Sequence, residues 1–330
     1  MVMNAAMPPP RGKWLALCGG VGGAKLALGL AQILTNDALA IIGNTGDDFI
    51  HLGLHIAPDL DTIMYNLAGR ADAVRGWGLA GESWRAFENL KALGGPDWFQ
   101  LGDQDLATHL YRTQLLAEGQ SLSAATQALC AALRVSHRMW PMSDDRVATM
   151  VDTDQGLMPF QHYFVRAQCQ PAVRGFVFDG IAKARPNPAW MQWLADPDLT
   201  AVVICPSNPF VSIDPILKLP GIATALRATA KPVIAVSPLI GGLAVKGPTA
   251  KMFAELGLPA SNLGIAQHYH GLIDGLVIDP ADRDDAKAIA KTGIKVFSTP
   301  SLMRNLADKI RLARDVVKFA AMLGGAAGRR

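Results

Sequence analysis

Two apolar runs near the start of the chain end in the same abrupt way. Leu15-Ala16-Leu17-Cys18 stops at Gly19-Gly20-Val21-Gly22-Gly23, and Ile41-Ile42 stops at Gly43-Asn44-Thr45-Gly46-Asp47-Asp48. An apolar run of strand length that meets glycine or a small polar residue predicts a buried strand with a loop at its carboxyl end. Further strands are predicted over Thr200–Cys205, Pro232–Val236, Leu276–Ile278 and Lys295–Phe297, with helical segments between them and a closing helix from about Leu302 to Leu323. Strands spaced by helices pair in parallel through right-handed crossovers, which makes the fold α/β with a mostly parallel sheet.

Between about residues 76 and 185 the pattern changes. Helical periodicity runs over Glu82–Leu93, Asp105–Glu118 and Ser123–Leu133, and Arg146–Asp152 and Met158–Arg166 flank the turn Asp154-Gln155-Gly156 as a β-hairpin. This interval is read as an insertion that caps the cleft of a single domain, 13–330, whose core is 13–75 and 186–330. Residues 1–12, short and Pro-rich, are read as a disordered lead.

Composition narrows the picture without redirecting it. With 330 residues, 50% hydrophobic and 18% charged, the chain buries a substantial core and is too apolar for disorder. A net charge of +3 gives no reason to invoke nucleic acid or a membrane surface. No apolar run approaches transmembrane length and the N-terminus has no signal-peptide core, so the expected location is cytoplasmic. Cys18, Cys130, Cys169 and Cys205 are widely spaced, with no C-x-x-C pair, and read as reduced.

The candidate chemistry sits on the loops. Gly19, Gly20, Gly22 and Gly23 leave room for a phosphate to reach main-chain N–H groups, and the apolar run that follows aims a helix N-terminus at the same place; tight packing alone is the other reading. A dinucleotide fingerprint is set aside, because Lys25 stands where its third glycine belongs, and a P-loop is set aside because Lys25 lies between Ala24 and Leu26. Ser207-Asn208 and Ser237 end two later strands on the same edge, and are read with the glycines as lining a cleft for an extended phosphorylated ligand, which the resemblance given below makes a nucleotide. Asp47, Asp48, Asp59 and Asp61 fall in one strand-loop-helix unit. Asp59 and Asp61 are read either as helix-start acids or, with Asp47 and Asp48, as holders of a hard divalent cation such as Mg²⁺. Trp77, Trp84, Trp98 and Phe99 are read either as core or as a flat wall for a ring-shaped ligand. No Ser/His/Asp triad is evident, and His268 and His270 are read as structural or substrate-adjacent.

Taken in order, Gly19–Lys25, Asn44–Asp48, Pro58–Thr62, Leu101–His109, Pro141–Asp145, Ser207-Asn208-Pro209 and Ser237–Gly241 resemble the 2-phospho-L-lactate transferase family of coenzyme F420 biosynthesis, from about Lys13 to the last strands. The resemblance implies a Rossmann-like homodimer that uses Mg²⁺. It also implies a reaction: a guanosine diphosphate ester of a small phospho-acid gives its phospho-acid to the primary hydroxyl of the deazaflavin Fo, releasing GMP. It makes Asp61 and Gln100 contacts of Fo; Gln100 departs from the family, whose archaeal members often carry a basic residue there. With it, Asp47, Asp48 and Asp61 are expected to bind Mg²⁺ and serve catalysis, and Trp98 to join Gln100 in the acceptor pocket. No catalytic role is assigned to Lys25. The alternative is a sugar-nucleotide-binding regulatory protein of the same fold. Lactate, enolpyruvate and glycerate versions of the phospho-acid are not told apart by these motifs.

Overall fold

The computed structural model describes residues 12–245 and 247–327; the N-terminal stretch read as disordered falls, up to Arg11, outside the described residues. In chain order the strands are β1 (Lys13–Cys18), β2 (Leu39–Gly43), β3 (Phe49–His51), β4 (Leu54–Ile56), β5 (Arg138–Pro141), β6 (Ala148–Thr153), β7 (Gly156–Pro159), β8 (Val173–Asp179), β9 (Leu199–Ile204), β10 (Val233–Val236), β11 (Leu239–Ile240), β12 (Leu243–Ala244), β13 (Gly275–Ile278) and β14 (Lys295–Ser298). Seven of them form one parallel sheet in the order β14-β13-β10-β9-β1-β2-β5. All six strands expected from apolar runs lie in it.

Successive residues of β1 face opposite sides of the sheet, as strand geometry requires. Leu15 and Leu17 enter a core with Trp190, Trp193 and Phe210, whereas Trp14, Ala16 and Cys18 enter another with Leu26, Leu30 and Ile63. The second face is covered by α1 (Gly20–Ala31), α2 (Pro58–Leu67) and the closing helix Leu306–Ala327. Gly29 lets the closing helix approach α1, because a Cβ there would collide with the Lys309 carbonyl. Among the described residues no helix is long and apolar enough to cross a membrane.

The chain moves outward from β1 through β2 to β5 on one side, then returns to β9 and moves outward through β10, β13 and β14 on the other. The direction therefore reverses between β1 and β9. At such a switch point the loops leaving two neighbouring strands diverge and open a crevice at their carboxyl ends. Here those connections are Gly19 with the glycine-rich first turn of α1, which starts at Gly20 and not after Gly23 as the sequence pattern predicts, and Pro206–Asn208.

The cap interval is more mixed than its sequence pattern predicts. It supplies helices α3 (Arg85–Ala92), α4 (Asp103–Ala117) and α5 (Leu122–Ala132), but also β5, the edge strand of the central sheet. Residues of β5 alternate between half-buried and buried, so this strand carries no continuous apolar run to announce it. The expected hairpin forms as β6 and β7, but strand structure stops at Pro159, and His162–Arg166 makes a π-helical turn. The other partner of β6 is β8, giving a three-stranded antiparallel layer.

Candidate functional site

A cavity of about 760 Å³ opens at the switch point. Its floor is the β1 loop and the first turn of α1. Gly20 has φ +62°, in the region that favours glycine, and a Cβ at Gly22 would collide with the Pro206 carbonyl. The first-turn N–H groups of Val21 and Gly22 have no intrahelical acceptor by helix geometry, and both residues line the cavity. With the dipole of α1 behind them they suit an anion.

Neighbouring side chains hold this loop in place. Ser207 Oγ donates to the Gly19 carbonyl (2.7 Å) and accepts from Gly19 N (3.3 Å). Asp59 accepts from Gly20 N (2.6 Å) and from Asn44 Nδ2 (2.9 Å), and Asn44 Oδ1 accepts from Gly46 N (2.8 Å). Asp59 thus ties the loops after β1 and β2 together instead of capping its own helix. Burial raises its carboxyl to about 6 despite the Asn44 and Gly20 donors.

Asp61, two residues on, is enclosed by charge. It forms a bidentate pair with Arg112, which is only 1% exposed. His109 Nδ1 lies 3.6 Å from Asp61, and His109 Nε2 lies 3.4 Å from Asp105, which also accepts from Tyr65 OH (2.6 Å). Burial works against the Asp105 anion, but His109 and the Tyr65 hydrogen bond hold its carboxyl below the usual carboxylate range. Among the described residues, Asp61, Asp105 and His109 are the trio of acids and histidines whose ligand atoms lie within 4.8 Å of one another. That trio already faces a cation, the Arg112 guanidinium.

Asp47 and Asp48 differ from this arrangement. Asp47 Oδ1 and both Asp48 carboxylate oxygens are buried without hydrogen-bond partners. Burial pushes Asp47 well above the carboxylate range, with Asp59 and Asp48 adding to it and Asn44 and Thr149 opposing. Burial likewise raises Asp48, against the pull of Arg112. His55, 3.9 Å from Asp48, is driven down to about 4 by burial and by Arg112 and His109, so it stays neutral and offers Asp48 no counter-charge.

Aromatic rings build the opposite wall. Trp98 lies edge-on to His162 (centroids 4.8 Å apart) and to His51 (5.3 Å), while Phe99 meets Phe49 at 4.9 Å. Trp98, Phe99, Gln100 and Phe164 line the cavity together. At its mouth, Trp77 is 39% exposed beside Trp84, with the Arg75 guanidinium over both rings.

The structure thus brings Gly19, Gly20, Gly22, Asp47, Asp61, Trp98, Gln100, Ser207, Asn208 and Ser237 to one cavity. Two expected members stand elsewhere. Gly23 packs against Cys18 and Ser207 below the loop, and Asp48 faces a second cavity. Asp61 does not join Asp47 and Asp48 in a common ligand cluster, because its two oxygens are held by Arg112. The Asn208 carboxamide caps the turn that follows it, accepting from Phe210 N (3.0 Å), so what Asn208 has left to offer a ligand is mainly backbone. The sequence reading missed Arg112, Tyr65 and the inward face of α4. The signal was present: Asp105, His109 and Arg112 are spaced to share one helical face, and that face is the buried one.

Fold and cavity together define a class: α/β proteins with an anion site at the switch point of a parallel sheet. The model of the 2-phospho-L-lactate transferase CofD family matches residues 15–302. A phosphoenolpyruvate transferase of Kitasatospora aureofaciens is 41% identical over 313 residues, covering 93% of this chain and 97% of its own. A phosphoenolpyruvate transferase of Streptomyces griseus is 38% identical over 312 residues, covering 93% and 98%. Two crystal structures of the Bacillus halodurans protein BH3568, of the upf0052 family, share the fold at TM-scores of 0.61 and 0.58, with 13% and 14% identity and 93% of this chain and 99% of theirs covered. The chain belongs to the 2-phospho-L-lactate transferase CofD family, transferases that move a phospho-acid in coenzyme F420 biosynthesis. Of the two readings carried from the sequence, the transferase is therefore the one supported.

Proposed function

We propose that the protein transfers phosphoenolpyruvate from its guanosine diphosphate ester to the primary hydroxyl of Fo, giving the dehydro form of coenzyme F420-0 and GMP. The observation that carries this reading is one cavity with two unlike walls: a glycine loop at a helix N-terminus on one side, aromatic rings on the other. The Fo hydroxyl oxygen forms a bond to the phosphorus that bears the enolpyruvyl group, the pyrophosphate P–O bond breaks, GMP leaves, and the hydroxyl proton passes to a carboxylate. The phosphoenolpyruvate transferase relatives support enolpyruvate as the acid.

Phosphoryl transfer depends on positioning and charge neutralisation more than on a strong protein nucleophile. The Val21 and Gly22 N–H groups would hold the leaving phosphate, and Trp98 and Gln100 would set the acceptor ring so that its hydroxyl reaches the phosphorus. Mg²⁺ fits the Asp47 position, where a buried carboxylate oxygen on the cavity wall has no partner. When bound there it would neutralise charge on the transferring phosphate. Asp47 is the carboxylate left on this wall to hold the cation, since Asp59 and Asp61 are spent on Gly20 and Arg112. Homodimer assembly belongs to the same reading and is checked by sedimentation.

The test incubates the protein with Fo, Mg²⁺ and the guanosine diphosphate esters of enolpyruvate, lactate and glycerate in turn, reading product masses. The expected product carries enolpyruvate. Absence of any phosphorylated Fo product with all three donors would overturn the proposal.

A further inference from the structure

Behind Asp47 lies a second cavity, of about 590 Å³, that shares only Asp47, Phe160 and Gln161 with the first. Its inner end is the turn Thr45–Asp48, closed by the Asp48 N–H on the Thr45 carbonyl (3.2 Å), with His55 of β4 alongside. Its rim comes from α5 and from the connection between β5 and β6.

The charged groups at the rim are already partnered. Asp144 accepts from the Ser123 amide and hydroxyl (both 2.7 Å), Asp145 accepts from Arg185 N (2.8 Å), and Arg146 pairs with Asp179 (2.8 Å). The inner end is different. Asp48 is 9% exposed at its side chain, yet neither carboxylate oxygen has a hydrogen-bond partner, and Thr45 Oγ1 and His55 Nδ1 have none either. A buried carboxylate with no donor is costly, and such groups are normally satisfied by protein, water or an ion. Arg112 is committed to Asp61 and makes no hydrogen bond to Asp48. The 3.9 Å gap between Asp48 Oδ2 and His55 Nε2 is too long for a hydrogen bond, and two ligand bonds of about 2.1 Å each would span it.

We infer that Asp48 and His55 hold a divalent cation in this second cavity, beside the unpartnered Thr45 hydroxyl and separate from the cation expected on the phosphate side of Asp47. The carboxylate and water ligands suit Mn²⁺ or Mg²⁺ and the imidazole suits Fe²⁺, Ni²⁺ or Zn²⁺, so the mixed set takes a divalent ion such as Mn²⁺. The cavity has room for the remaining water ligands. A cation here would neutralise Asp48 from behind and leave Asp47 to the transferring phosphate.

This inference stands on the Asp48 surroundings and not on the transferase reading, and one experiment keeps the two apart. Mn²⁺ uptake by the full chain is counted by electron paramagnetic resonance, with and without GDP. The wild type is expected to take up one Mn²⁺ without nucleotide and a second when GDP is present. Asp48→Asn and His55→Gln, each checked for native circular dichroism, should weaken the nucleotide-independent ion by about tenfold or more while keeping the GDP-dependent one. Unchanged nucleotide-independent uptake in both variants, or no such uptake in the wild type, overturns the second site. Loss of the GDP-dependent ion alone would count against the phosphate-side reading and leave this one standing.

Discussion

Two groups of buried carboxylates lie on neighbouring elements and are handled in opposite ways. Asp61 and Asp105 face Arg112, His109 and Tyr65, so their charge is matched inside the protein. Asp47 and Asp48 face no cation that bonds to them and keep three oxygens without partners. Burial alone therefore does not mark an acid as functional. A matched buried pair fixes structure, because breaking it strands a charge in a poor solvent. An unmatched buried acid holds unspent affinity for a cation that arrives from outside, and of the two only Asp47 lines the cavity that also holds the glycine loop.

The largest effect expected from this contrast is on folding. Arg112→Met strands Asp61 between α2 and α4 and should cost about 3–5 kcal/mol, measured by urea unfolding. Asp61→Asn should also destabilise, so its effect on turnover must be read beside its stability. If Arg112→Met unfolds like the wild type, the matched group is not what joins these helices.

Asp47→Asn belongs to the unmatched side and should behave in reverse. The fold should persist while turnover at saturating Mg²⁺ falls about a hundredfold, as when one preorganised charge-stabilising group is removed. Steady-state kinetics beside a urea melt give both halves of the comparison. A variant that is unstable yet active would exchange the roles assigned to the two groups.

The pH dependence sharpens the same contrast. Asp59, raised to about 6 by burial, contributes stability that is present below about pH 4 and lost as pH rises through about 6, and raised Asp47 and Asp48 add the same slope. His55, lowered to about 4, contributes the opposite slope, stability gained as pH rises from about 4 to 6.5. Stabilisation by Mg²⁺, read as the shift in Tm on adding it, should be larger at pH 7.5 than at pH 5, because protons compete with the cation for the raised Asp47 and Asp48 carboxylates. An equal shift at both values would mean that the cation binds no raised carboxylate.

The smallest expected effect lies at the aromatic wall. Trp98→Ala should weaken Fo binding by about 1 kcal/mol or more, in line with the loss of one aromatic contact, and leave GMP affinity unchanged. Deazaflavin fluorescence titration separates the two ligands. Equal losses for both would make Trp98 a packing residue of the cavity and not a contact of the acceptor.

Legibility followed range. The glycine loop, the Asn44–Asp48 turn and the Ser207 and Ser237 loops could be read because each is a local event, an apolar run ended by residues with special backbone freedom or short polar side chains. The helix-start reading of Asp59 and Asp61 was just as local, and both acids do stand in the first turn of α2; what it could not show is that each carboxylate bonds to a partner far along the chain, Gly20 and Arg112. β5 escaped notice for a related reason: its strand character comes from pairing with β2, not from its own composition.

By itself, the sequence determined the parallel α/β sheet, the edge on which the loops gather and the family to which they belong, since all of these rest on order and spacing along the chain. Only the tertiary structure decided how the acids divide. Four aspartates within fifteen positions look alike in sequence. Their roles separate when α4 brings Arg112 against Asp61, when the β1 loop brings Gly20 against Asp59, and when the turn before β3 sets Asp47 on the wall shared by both cavities and Asp48 in the second alone. The free energy of a buried charge is set by the dipoles and counter-charges within a few ångströms, and those come from chain segments that sequence spacing does not place side by side.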